Sequence, residues 1–379
     1  MKTVGIICEY NPLHLGHQKQ IDLIRKQDPD CAVVCLMSGN YVQRGAPAIF
    51  DRSLRAKAAV LAGADLVLEL PVTVSLSSAE GFAAGGVSLL APFCDSLCFG
   101  AETADASALM DTANALLTDD FSPILRKRLE EGLSFPAARA AALSDLGLDR
   151  TLLSQPNNIL AVEYCKAILS QGCSMVPFPI CREGSYHDEL PDAENPSATA
   201  VRQLILSLHD WKSYIPATAH AVFDGATVHS LHTGERAILA RLRTMDDGEF
   251  EDLPYGSEGL WRKLMHAARS ESTLEQIAAA TKSKRYTRSR IDRLILCAFL
   301  GISKADISAA PRYARVLALN ETGRDVLKFA RKSGSFPNIG EKIGVPFEAI
   351  ESRCDALYGL FAEGEPGTPI IKDRIFCQR

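Results

Sequence analysis

The stretch Val4-Gly5-Ile6-Ile7-Cys8-Glu9-Tyr10-Asn11-Pro12-Leu13-His14-Leu15-Gly16-His17 stands at the start of the chain and decides how the rest is read. Its first half is a short apolar run with β-branched residues, closed after Glu9 by Tyr-Asn-Pro, the pattern of a buried strand that ends in a turn. From Gly16 the pattern becomes helical: Ile21 and Ile24 mark an apolar face, with Gln18, Lys19, Asp22 and Arg25 away from it. A strand that turns directly into a helix leaves backbone N–H groups and the positive end of the helix dipole facing outward, which suits a phosphate. His14 and His17 flank that opening, where imidazoles donate hydrogen bonds to a phosphate gaining charge in a transition state. Gly16, without a side chain, lets a base or a phosphate approach the backbone closely. Two histidines beside a glycine are in general ordinary surface residues. Their place at the carboxyl end of a strand, where open α/β sheets bind ligands, favours function.

Strand and helix alternate outward from this stretch. Cys31 to Met37, Asp65 to Leu70 and Asp95 to Phe99 read as buried strands, with helices over Arg52 to Leu61 and about Ala79 to Leu90 between them. Such alternation predicts a parallel sheet covered on both faces. Residues 105–150, rich in Ala and Leu, read as a helical insertion; Asn157-Asn158 caps the next helix, and Met175 to Phe178 returns to the sheet as a strand. The segment from Cys181 to Asn195 is polar and turn-rich, after which Ser197 and Thr199 open a helix whose first turns carry Arg202, placed to meet an anion. Beyond Trp211 the pattern is mainly helical, most clearly over Arg236 to Arg243, Leu260 to Arg269, Thr273 to Ala280, Ser289 to Leu300 and Thr322 to Arg331. The expected boundary lies near residue 210.

A chain of 379 residues is long enough for two domains at about 150 residues each, and 47% hydrophobic with 23% charged residues is an ordinary globular composition. No apolar run reaches the roughly 20 residues that span a bilayer, and the first residues read as a strand rather than a signal peptide, so the expected place is the cytoplasm, with no membrane and no protein partner indicated. The 11 cysteines include no C-x-x-C pair and predict small buried hydrophobes rather than a metal cage. The net charge of −5 hides an asymmetry: residues 1–260 hold 20 Lys+Arg against 33 Asp+Glu, and residues 261–379 hold 21 against 13. Lys282, Lys284, Arg285, Arg288, Arg290 and Arg293 crowd one segment with Asp292 alone opposing them, while Ile291, Leu294, Ile295, Ala298 and Phe299 supply its buried face. A charge run is usually a solvated face; a polyanion is the other reading, with Tyr286 available to stack on an unpaired base.

His14-Leu15-Gly16-His17 resembles the HxGH signature of the nucleotidyltransferase superfamily, and Ser197 to Arg202 resembles that superfamily's second motif, Ser-x-Thr-x-x-Arg. A wider set of segments is similar to the tRNA(Met) cytidine acetate ligase family: Glu9 to Pro12, Met37 to Gly45, Glu69-Leu70-Pro71, Phe99 to Glu102, Pro156 to Leu160 and Arg285 to Ile291. The resemblance implies a Rossmann-like, parallel-sheet α/β nucleotidyltransferase domain over residues 1–210, for ATP and acetate, followed by a mainly α-helical, basic tRNA-binding domain over 211–379. It implies catalysis by His14 and His17 and ATP contacts from Ile7, Glu9, Tyr10, Asn11, Pro12, His14, Gly16, His17, Gly100, Asn157, Asn158, Arg182, Ser197, Thr199 and Arg202. It also implies tRNA contacts from Lys282, Lys284, Arg285, Tyr286, Arg288, Arg290 and Arg293. Magnesium is expected with ATP, held partly by the phosphates. The implied reaction joins acetate to the exocyclic amine of the wobble cytidine of elongator tRNA(Met) through acetyl-adenylate, releasing pyrophosphate and AMP. Two other classes stand beside it: a metabolic nucleotidyltransferase acting on a small phosphate ester, for which the basic helical portion is superfluous, and a non-catalytic RNA-binding protein, against which intact His14, Gly16 and His17 argue. The role of Arg44, in the loop after the second strand, is open between an anion contact and a salt bridge.

Overall fold

The computed structural model describes residues 1–133, 135–182, 196–283, 285–309, 313–332, 347–364 and 375–378, without the side chains of 135 and 136. Lys284 and residues 183–195, among the segments read from sequence, lie outside the described residues.

Nine strands are described: β1 Thr3–Cys8, β2 Ala32–Ser38, β3 Tyr41–Val42, β4 Ala46–Pro47, β5 Leu66–Leu70, β6 Ser96–Ala101, β7 Val176–Cys181, β8 Arg315–Leu319 and β9 Phe376–Cys377. Seven form one sheet in the order β7-β6-β1-β2-β5-β8-β9, and β3 pairs with β4 as a separate hairpin. The first five of that order run parallel, β8 is antiparallel to β5, and β9 is parallel to β8. Residues of β2 alternate between two cores: Ala32, Val34 and Leu36 pack with Leu68, Phe82, Val87 and Val162 on one face, and Val33, Cys35 and Met37 pack with Ile21, Ile24, Phe50 and Val60 on the other. The α/β expectation therefore holds. From β1 the chain builds outward to β2 and β5 on one side, then crosses to β6 and β7 on the other, so strand order reverses between β1 and β6. In open α/β sheets the crevice beyond the carboxyl ends at such a reversal is where ligands bind.

The helical segments expected after residue 210 are present, including Leu231–Thr244, Leu260–Ser270, Leu274–Thr281 and Arg288–Leu300. They share a third core of Ile238, Leu242, Phe250, Leu264, Leu294 and Phe361, into which Tyr41, Val72 and Leu76 project from the sheet's side. Two strands from beyond residue 210, β8 and β9, nevertheless complete the sheet. The five-residue run that makes β8 was not read as a strand, because it is a single short apolar segment among helices. Gly100, expected just after a strand, lies within β6 opposite Ile180. Eight of the 11 cysteines are buried, and the described residues hold no helix long and apolar enough to cross a membrane.

Candidate active site

The helix Leu15–Gln27 begins where the sequence placed it, capped by His14 in extended conformation. Nδ1 of His14 accepts the Gly16 N–H at 3.1 Å, and Nδ1 of His17 accepts the His14 N–H at 3.3 Å. Reciprocal side-chain caps of this kind satisfy two of the N–H groups a helix leaves open at its start. With Nδ1 accepting in both rings, each neutral imidazole carries its proton on Nε2 and presents it as a donor. The rings stack at 3.7 Å, and Tyr10 backs His17 at 4.9 Å. Burial, reinforced by Arg182 and Arg202, pushes His14 down to about 3, and burial followed by His14 and Arg182 pushes His17 well below the usual imidazole range. His14 is 2% exposed, and its Nε2 is buried with no hydrogen-bond partner among the described residues. A buried donor left in that state is costly in a folded protein and fits an acceptor supplied from outside the chain. A Cβ on Gly16 would lie 3.0 Å from Cε1 of His14, so the glycine leaves room first of all for that ring.

The second motif joins the first directly. Ser197 caps the helix Ala198–Leu206 by accepting the Ala200 N–H at 3.1 Å. Arg202 donates to the Asn11 carbonyl at 2.7 Å and to Thr199 Oγ1 at 3.0 Å, so its guanidinium lies across the turn that leads into His14. Burial pushes Arg202 down, with Glu9 opposing that shift and Arg44 adding to it, which puts a carboxylate and a second cation beside it.

On the other side of the reversal, Arg182 continues from β7, its N–H donating to the Ala101 carbonyl at 2.9 Å and its Nη1 to Asn157 Oδ1 at 3.3 Å. A Cβ on Gly100 would meet Cδ of Arg182 at 3.6 Å, an ordinary contact, so these two residues face one another. Asn157 and Asn158 do not cap the helix Pro156–Ser170, as the sequence had indicated; the cap residue is Gln155, and the Glu102 carboxylate accepts both of their N–H groups, at 3.2 and 2.8 Å, and Asn157 Nδ2 at 2.7 Å. An anion at a helix N-terminus is the favoured arrangement, and it comes from 55 residues away. Asn158 turns instead to Thr103, accepting its N–H at 2.9 Å, which leaves Asn157 as the amide beside Arg182.

His14, Gly16, His17, Asn11, Thr199 and Arg202 thus form one cluster, and Gly100, Arg182 and Asn157 form the facing one, whose Arg182 acts on both histidines. The remaining residues expected to contact ATP are engaged within the protein. The Ile7 side chain packs against Gly86; Tyr10 is buried with its hydroxyl 3.4 Å from Cys35 Sγ; Pro12 is buried; and the Ser197 hydroxyl is committed to its cap. Glu9 accepts the Gln43 N–H at 2.9 Å. Sequence reasoning missed Arg55, which is fully buried and donates to the carbonyls of Glu9, Ser38, Gly39 and Phe50, gathering the carboxyl ends of β1 and β2. Its signal was an arginine amid the apolar positions of Arg52–Leu61.

The basic segment divides into two sets. Lys282 is exposed, and Arg285 is exposed within 3.8 Å of Glu258. Arg288 forms a two-pronged pair with Glu275, both distances being 2.7 Å, and a further pair with Asp292. Arg290 donates to the Tyr255 carbonyl and Ser257 Oγ. Tyr286 is buried in the helical core with its hydroxyl on the Glu258 carbonyl, which corrects the expectation of a ring free to stack on a base. Arg293 is 7% exposed and likewise is not presented at the surface.

Residues 1–358 match the family model for HIGH nucleotidyl transferases. The chain is 34% identical over 357 residues to the tRNA(Met) cytidine acetate ligase of Clostridium novyi (strain NT), covering 89% of each chain, and 34% identical over 378 residues to that of Clostridium acetobutylicum, covering 94% of each. Its fold is similar to that of Thermotoga maritima TmcAL over the full length of both chains, with a TM-score of 0.90 and 28% identity to the apo structure. The structure of that protein bound with alpha-thio ATP gives 0.87 and 27%, again over both full lengths. With the signature histidines, the parallel sheet and the full-length likeness in agreement, the chain belongs to the tRNA(Met) cytidine acetate ligase family of HIGH nucleotidyl transferases.

Proposed function

We propose that this chain activates acetate with ATP and transfers the acetyl group to the exocyclic amine of the wobble cytidine of elongator tRNA(Met). The observation that carries the catalytic part is the stacked, neutral histidine pair at the helix opening, with the His14 Nε2 donor buried and unpartnered among the described residues. Family membership supports the substrates.

In the first step an acetate oxygen attacks the α-phosphorus of ATP and pyrophosphate leaves. Acetate is already anionic, so no base is needed; positioning and charge stabilisation decide the rate. His14 and His17 donate Nε2–H groups to phosphoryl oxygens whose charge rises, and they remain neutral donors throughout the physiological range because burial disfavours their charged forms. Arg202 and Arg182 take up negative charge on the triphosphate from opposite sides of the crevice, with Gly100 and Asn157 forming the wall beside Arg182. Magnesium bound with ATP would be held chiefly by the phosphates, whose charge it would help to neutralise; Glu102 is occupied by its three hydrogen bonds. In the second step the cytidine amine attacks the acetyl carbonyl and AMP departs. Among the described residues Lys282 and Arg285 are exposed, whereas the exposed Arg288 is engaged by Glu275 and Asp292; Lys282 and Arg285 supply the segment's contact to tRNA phosphates. The setting is the cytoplasm, where ATP and tRNA meet.

Acetate-dependent exchange of labelled pyrophosphate into ATP tests this reading. The intact chain should exchange only with acetate present, and His14→Ala should slow it roughly a hundredfold to a thousandfold, the usual effect of deleting one preorganised donor. Exchange that is indifferent to acetate, or a His14→Ala variant at the wild-type rate, would refute it.

A further inference from the structure

Arg293 belongs by sequence to the basic run but stands in the interior, over the Tyr255 ring at 5.3 Å, with no carboxylate within ion-pair distance among the described residues. Its Nε is buried without a hydrogen-bond partner, and its Nη1 donates to the Gln43 carbonyl at 3.1 Å. A guanidinium kept in that condition is expensive, which calls for a use. The one side-chain hydrogen bond it makes among the described residues falls on the β3–β4 hairpin, and the hairpin is pressed against the same helix: Gly45 has φ +81, and a Cβ there would lie 2.4 Å from the Arg293 backbone nitrogen. The next link is also backbone-borne. Gln43 N–H donates to Glu9 Oε1 at 2.9 Å, and Glu9 follows β1, beside Arg202 and five residues ahead of His14.

The support under Arg293 is itself built with strain. Tyr255 and Glu258 adopt left-handed φ values of 65° and 58°, unusual for residues with side chains. Arg290 holds the Tyr255 carbonyl, Tyr286 holds that of Glu258, and Arg285 approaches the Glu258 carboxylate. The segment from Arg285 to Arg290 therefore fixes the loop that carries the ring beneath Arg293.

We propose that Arg293 is a positioning residue for the adenylation step, acting through the Gln43 backbone on the Glu9 carboxylate, and is not a contact to tRNA. The inference rests on the functional reading above, in which Arg202 takes up negative charge on the triphosphate. Holding Glu9 fixes the negative charge that faces Arg202 and so the aim of that arginine across the turn into His14.

The test compares the full-length chain with Arg293→Met, Arg293→Lys, Glu9→Gln and the double variant Arg293→Met/Glu9→Gln. In acetate-dependent pyrophosphate exchange without tRNA, Arg293→Met should lower kcat by about tenfold to a hundredfold, the scale of a misplaced reacting geometry. Its tRNA affinity and salt slope should stay at wild-type values. Arg293→Lys should recover most of the rate, since an ammonium still reaches the carbonyl of Gln43. The double variant should be no slower than Glu9→Gln, because both changes interrupt one line. Wild-type exchange in Arg293→Met, a flattened salt slope for tRNA, or additive losses in the double variant would each overturn the proposal. Absence of acetate-dependent exchange in the wild-type chain would overturn the functional reading itself, and this with it.

Discussion

Gly16→Ala separates stability from activity. The position lies in the first turn of Leu15–Gln27, and alanine there is favoured over glycine by up to about 1 kcal/mol in helix propensity. The added Cβ would stand 3.0 Å from Cε1 and 3.2 Å from Nδ1 of His14, closer than carbon and a ring atom settle, so the ring must retreat by a few tenths of an ångström. It has little space to do so, being buried and stacked on His17 at 3.7 Å. Weakening the Gly16 N–H bond to Nδ1 removes about 1 kcal/mol, so the two stability effects nearly cancel. The rate has no such compensation: an Nε2–H displaced from its line to the phosphoryl oxygen should slow exchange on the order of a hundredfold. Thermal melting and acetate-dependent pyrophosphate exchange on one preparation give the comparison. A variant that melts like wild type and exchanges like wild type would show that the His14 ring position does not govern the chemistry.

Two further expectations follow from the same geometry. Because His14 is held down to about 3 against about 6.5 in an unfolded chain, the unfolded state binds the extra proton as pH falls below 6.5, so stability drops by about 1.4 kcal/mol per pH unit from each such histidine until the folded value is reached. Urea titrations at pH 5 to 8 should show a shallower slope for His14→Ala, and an unchanged slope would refute the assignment. Replacing Lys282 and Arg285 by alanine should reduce the salt slope of tRNA binding by about 0.9 for each phosphate that is no longer neutralised, while tRNA-free exchange persists; an unchanged slope would place tRNA elsewhere.

Local signals in the sequence were sufficient wherever the chain caps itself. The strand before His14, the helix after it and the Ser197 cap all rest on residues within a few positions of one another. The helix at Pro156–Ser170 was placed correctly but its cap was not, because Glu102 arrives from the end of another strand. The basic run showed its charge but not the fate of each member. The helix Arg288–Leu300 is apolar almost all round from Leu294 onward, so a charged residue at 293 is drawn inside with its neighbours, and only the Gln43 carbonyl and the Tyr255 ring reveal why it is tolerated. Arg55 likewise binds carbonyls, which leave no trace in side-chain spacing.

The place of β8 bears on how the chain is made. β5 pairs on its outer side with a strand synthesised some 250 residues later, and Asn320 closes the join by donating to the Asp65 carbonyl at 3.0 Å and to its carboxylate at 2.8 Å. During translation from the N-terminus the parallel core can assemble early, yet one edge waits with its N–H and C=O groups bare until the helical portion has emerged. A fragment cut at 210 would lack β8 and keep the outer edge of β5 unpaired and adhesive.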